Sequence, residues 1–215
     1  MSRFTRHGDM VILGVLAIGL MVASMTIVTP LALAFVQQNN SYTAGAGVSA
    51  AAQLSSTVSN QPTSTTPVIV TMNSNDYINP GITHSNTSNT GDVIVNEDAT
   101  YLIIAAGQVG KTSGNTTCNV DLWLRQNGVD VANSNTRASV LSKDDTTVLV
   151  SQAILLLKKG DKINTMISVS ATDQGCGLIN TTPSGEPNIP AIIFSIAKTS
   201  SSTEGSVSSG RTTLR

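Results

Sequence analysis

The stretch Ala105-Ala106-Gly107-Gln108-Val109-Gly110-Lys111-Thr112 has the spacing of a phosphate-binding loop, ending in Gly-Lys-Thr. In such a loop, backbone N–H groups cradle phosphates, and the residues that follow open a helix whose N-terminus completes the cradle. Here the next residues are Ser113-Gly114-Asn115-Thr116-Thr117-Cys118, which hold no helical pattern. No aspartate ending a second buried strand is in evidence for Mg²⁺. The stretch is read as a β-turn, not as a nucleotide site. Nucleophilic catalysis is poorly supplied as well, because a serine or cysteine nucleophile needs a base beside it. The histidines are His7 and His84. His7 precedes an apolar run, and His84 lies in an Asn/Ser/Thr-rich stretch that reads as an exposed loop. No Cys/His group has zinc-ligand spacing. Asp144, Asp145, Asp161 and Asp173 offer oxygens suited to Ca²⁺, but not in the spacing of an EF-hand loop. They read as solvated turn carboxylates, with Asp161 supporting the turn after Gly160. The expectation is a protein that is not an enzyme and has no cofactor and no metal.

Two kinds of residue keep a definite chemistry. Cys118 and Cys176 are an even pair, and in an oxidising compartment such a pair forms a disulfide. It would close a long loop, a constraint worth about 4 kcal/mol by the chain-entropy estimate. Asn39, Asn86, Asn115 and Asn180 each begin an N-x-S/T triplet. They are glycosylation candidates wherever the host glycosylates.

The elements that position these residues follow from charge. The chain has 215 residues, with 12 basic and 13 acidic side chains and a net charge of −1. That balance excludes a polybasic nucleic-acid binder. Residues 10–75 contain no charge at all. Residues 10–36 are almost wholly apolar, with no polar face at helical period, and are long enough to cross a bilayer. Arg3 and Arg6 precede this run, and no cation follows until Lys111. The positive-inside rule places residues 1–9 in the cytoplasm and everything after 36 outside. The segment is either a retained single-pass anchor or a signal cut after Ala34, since Ala32-Leu33-Ala34 is an A-x-A pattern. Arg6-His7-Gly8 also resembles a short prepilin-type leader, cut after the Gly. Residues 37–66, rich in Ser, Thr and Ala, read as a flexible stalk with too little apolar surface to offset the entropy of ordering. Residues 199–215 read as a disordered tail on the same grounds.

The folded part is expected over 67–198. Short apolar or alternating runs at Val68–Val70, Asp92–Val95, Tyr101–Val109, Val120–Arg125, Val129–Ala132, Thr147–Leu157, Lys162–Ala171 and Ile192–Ile196 read as strands. Asn127-Gly128 between two of them is a hairpin signal. With no helical stripe and no strand–helix alternation, the fold class is all-β: a β-sandwich or jelly roll.

The order of these pieces resembles the C1q/TNF-like jelly-roll family. The residues that bear the likeness are Ala99-Thr100-Tyr101 opening a long strand, Leu122–Leu124 leading to Asn127-Gly128, Leu155-Leu156-Leu157 leading to Gly160-Asp161, and Phe194 in the last strand. Thr100 stands where such domains usually have Gly, aromatic residues are few, and no collagen repeat is present. The resemblance implies about ten strands in two sheets, a non-catalytic binding role and often a trimer on a stalk. It assigns Tyr101 and Phe194 either to a subunit-facing core or to packing within one domain. The functional expectation is an extracytoplasmic binding or adhesion module, a homo-oligomer meeting a protein or glycan ligand. The alternative is a structural subunit of a surface layer, filament or virion coat.

Overall fold

The computed structural model describes residues 49–143 and 145–201. The expected cytoplasmic segment 1–9, the apolar segment 10–36, residues 37–48 of the expected stalk, and the tail beyond Ser201 lie outside them. The described residues form thirteen strands and no helix. They are β1 (Ala51–Ser56), β2 (Val68–Ile69), β3 (Ser74–Ile78), β4 (Ile82–His84), β5 (Val93–Val95), β6 (Ala99–Lys111) and β7 (Cys118–Gln126). Then follow β8 (Val129–Asp130), β9 (Thr136–Val140), β10 (Thr146–Leu157), β11 (Lys162–Val169), β12 (Cys176–Leu178) and β13 (Ile192–Ser201).

The strands lie in two antiparallel sheets, a β-sandwich. Sheet 1 runs β10-β6-β13-β1-β3, with β12 pairing the far end of β6. Sheet 2 runs β4-β5-β11-β7-β8, with β2 also on β11 and β9 also on β7. The core follows from period-two alternation. In β6, Ala99, Tyr101, Ile103, Ala105 and Val109 point inward and are buried, and the alternate residues from Thr100 to Gln108 are half-buried. Val120, Leu122 and Leu124 of β7, with Ile163, Ile167 and Val169 of β11, supply the buried face of sheet 2. Asn127 and Gly128 have φ of 50° and 84°, the paired positive values of a type I′ turn, and Gln126 pairs with Val129 across it.

The disulfide is present. Cys118 opens β7 in sheet 2 and Cys176 opens β12 in sheet 1, with Cα atoms 6.5 Å apart and a sequence separation of 58. It therefore clasps one sheet to the other. Beside it Gly177 has a φ of 151°, and a Cβ there would run into the backbone of Asn60 and Gln61. Asn60 and Leu178 exchange backbone hydrogen bonds of 2.8 Å in both directions across that contact.

The stalk expectation fails for residues 49–66. β1 lies inside sheet 1, between β13 and β3, with Leu54 opposite Phe194 and Ala52 opposite Ile196. Ala50, Ala52, Leu54 and Ser56 are all buried. A window average sees only Ser, Thr and Ala. The fold uses a period of two in which small side chains suffice, because the neighbouring strand brings Phe194 and Ile196. At the other end β13 continues to Ser201, three residues past the expected boundary of 198.

Candidate interaction surface

The residues with catalytic or ligating types are occupied structurally. β6 runs through Lys111, so the Gly-Lys-Thr stretch is strand end, not turn. Lys111 is buried, and its Nζ donates to the Thr116 carbonyl at 2.8 Å. His84 is not an exposed loop residue. It ends β4 and is buried, with Nδ1 2.6 Å from Asn75 Oδ1 and Nε2 3.0 Å from the Thr90 carbonyl. Asp161 does support its turn: one oxygen accepts from Lys158 N at 2.9 Å and Gln126 Nε2 at 2.8 Å, the other from Asn127 Nδ2 at 2.8 Å. Asp145 accepts from Ser142 N at 3.0 Å. Asp144 lies outside the described residues. Among the described residues no three side chains of metal-ligand type come together.

Tyr101 and Phe194 do not face a neighbouring subunit. Both are fully buried inside the sandwich. Tyr101 donates its hydroxyl to the Glu97 carbonyl at 3.1 Å. Burial, then the nearby Glu97 and Asp98 carboxylates, push its phenol up to about 12. The alternation of β6 and β13 sets this: both residues fall on inward positions. Of the glycosylation candidates, Asn86 and Asn115 are exposed in loops. Asn180 is half-buried, and its amide nitrogen donates to Asn188 Oδ1 and to the Ile189 carbonyl, each at 2.9 Å. Asn39 lies outside the described residues.

The same alternation leaves an apolar face on the outside of sheet 1. In β10, Val148, Val150, Ile154 and Leu156 are 66%, 40%, 67% and 61% exposed. Across the ladder Ile154 sits opposite Leu102, Gln152 opposite Ile104 and Val150 opposite Ala106. On the other side of β6, Ile193, Ser195 and Ala197 continue the face. None of the outward positions of these three strands is charged. Sequence reasoning placed these strands but did not separate their two faces. The signal was there: β10 has no polar side to turn to water.

Charge is gathered elsewhere. β1 begins opposite the end of β13, so the chain enters and leaves the sandwich at one end. That end holds four ion pairs: Arg125–Asp130 at 2.8 Å, Lys158–Asp98 at 3.1 Å, Lys162–Asp92 at 2.7 Å and Lys198–Glu97 at 2.7 Å. Hydrogen bonds from the Lys159 backbone and the Lys158 side chain hold the Asp98 carboxyl below its ordinary range. Burial opposes ionisation of Asp92, but Lys162 and Asn164 outweigh it and lower that carboxyl too. Arg137 and Asp121 pair at 2.9 Å on sheet 2. The opposite end carries the loops 57–67, 112–117 and 179–191, which are rich in Ser, Thr and Asn, and also Lys143 and Asp145 before β10. No protein-family model matches the chain, and no curated protein is similar to it.

Proposed function

We propose that residues 49–201 form a jelly-roll module, similar to C1q/TNF-like domains, that binds or adheres and does no chemistry. In this reading residues 10–36 anchor it in the membrane with the sandwich outside, or are removed after Ala34 to release it. It works as an oligomer, with three copies the number the resemblance implies. A protein or glycan ligand meets the loops at the end away from the chain termini. The observation that carries the reading is the strand arrangement. Thirteen strands lie in two antiparallel sheets of six and seven, which supports the two-sheet arrangement of such domains. Entry and exit at one end leave the other free for display. Display in several copies would multiply weak contacts into avidity.

The uncharged face of sheet 1 favours a second reading, a subunit of a surface layer, filament or virion coat, where such a face is covered by packing. Sequencing the N-terminus of the mature protein separates the two. A cut after Gly8 supports the filament, a cut after Ala34 a secreted module, and an intact Met1 an anchored one. A mature chain beginning within 49–201 would contradict both.

A further inference from the structure

We infer that copies of this chain meet through the outward face of β10, β6 and β13. The inference rests on the oligomeric reading above and assigns it a surface. Four large apolar side chains of β10 are at least two-fifths exposed, and Ile193 of β13 is 39% exposed. Isolated exposed apolar residues need no explanation, but a continuous patch marks an interaction site. Three strands about 4.8 Å apart, each about 40 Å long, make a face of about 600 Å². Two such faces together bury about 1,200 Å², the lower bound of a standard stable interface.

The edge gives an independent argument. β10 is the last strand of sheet 1, and its pairing with β6 runs over twelve residues with no register shift. Edge strands are ordinarily guarded by Lys, Pro or a bulge. Thr146–Leu157 has none of these. Among the described residues, the backbone of β10 on the side away from β6 has no backbone partner.

A second copy is the occupant that fits. A lipid surface is met by apolar residues with a cationic fringe; this face carries no cation, and Lys158 and Lys198 at its rim are paired with Asp98 and Glu97. A charged protein partner would bury its charges against a surface that offers no counter-charge, an unfavourable desolvation. An identical face brings no charge, and its few polar groups, Gln152 and Ser195 among them, can hydrogen-bond to their own kind.

The test uses the full chain in detergent, with a photo-reactive benzoylphenylalanine at Ile154 and, as a control, at Val68 on sheet 2, which is 39% exposed. Irradiation is expected to give covalent multiples of the 22.3 kDa chain from position 154, with at least about tenfold less from position 68. Ile154→Asp should convert the oligomer to monomer, Val68→Asp should not, and circular dichroism should show both folded. An adduct at 154 to lipid or to another protein, without self-adducts, overturns the inference. So does an oligomer that survives Ile154→Asp, which would leave the oligomeric reading standing. A parent chain that is monomeric throughout overturns both.

Discussion

Asp161 illustrates how much one turn carboxylate holds together. It joins the β10–β11 turn to the β7–β8 hairpin through Lys158, Gln126 and Asn127. The Lys158 backbone donor is the main cause of its lowered pKa; Asn127 and Gln126 add to it. Arg125, then Trp123, do the same for Asp130. A carboxyl whose folded pKa lies below its unfolded value binds fewer protons folded than unfolded. Its contribution is complete above the unfolded value of about 4 and is lost as pH falls through the folded one. Stability should therefore be flat near neutrality and decline below about pH 4. Asp161→Ala should cost about 2 kcal/mol at pH 7 and flatten that acid decline. Urea melts at several pH values measure both, and an unchanged acid limb in the variant would contradict the assignment. Thr165 is the converse case. Its Oγ1 is buried in β11 and has no partner among the described residues. Thr165→Val removes that unmet desolvation and should stabilise the fold by about 1 kcal/mol. A destabilised variant in thermal melts would mean that a partner, such as a water, satisfies the hydroxyl. Asp161 was legible in the sequence because Gly-Asp after an apolar run is local turn chemistry. The roles of His84 and Thr165 were not, because each depends on residues the chain brings back from elsewhere.

At the scale of elements, strands announced by Val, Ile and Leu were legible: β2, β5, β6, β7, β8, β10, β11 and β13 fall where alternation or apolar runs put them. Those built from small or polar residues were not. β9 reads Thr-Arg-Ala-Ser-Val and β1 reads Ala-Ala-Gln-Leu-Ser-Ser, and neither exceeds its surroundings in hydrophobicity. Their conformation comes from pairing: β1 fills the slot between β13 and β3, and β9 lies on β7. β1 therefore belongs to the folding unit. A chain starting at residue 67 loses the strand that pairs Phe194 and Ile196, opening sheet 1 and exposing the core. A chain starting at residue 46 should give a cooperative thermal transition and one starting at 67 should not. A cooperative transition in the shorter chain would show that β1 is dispensable. The disulfide acts at this scale too, since Cys118 and Cys176 tie elements of different sheets. The cysteines' number and compartment pointed to a bond; that it joins the two sheets follows only from the fold.

At the scale of the whole molecule charge is scarce, 12% of residues against about 25% in an average soluble domain. Four ion pairs gather at the end where the chain enters and leaves, and another lies on sheet 2. The outside of β10, β6 and β13 has none. A surface that must stay in water spreads its charges; one that is covered has no need of them. Composition alone showed the deficit, and only the two faces of each strand showed where it lies. Tyr101 and Phe194, which the resemblance left between a subunit contact and packing within the domain, are in the core, and the large exposed side chains of β10 are aliphatic. The central claim, that the protein works as an assembly of identical copies, is tested most directly by sedimentation equilibrium of the full chain in density-matched detergent over a wide concentration range. The account predicts a protein mass that is a whole multiple of 22.3 kDa, two chains where identical faces pair one to one and three where the number implied by the resemblance holds. A mass of 22.3 kDa at every concentration would contradict it.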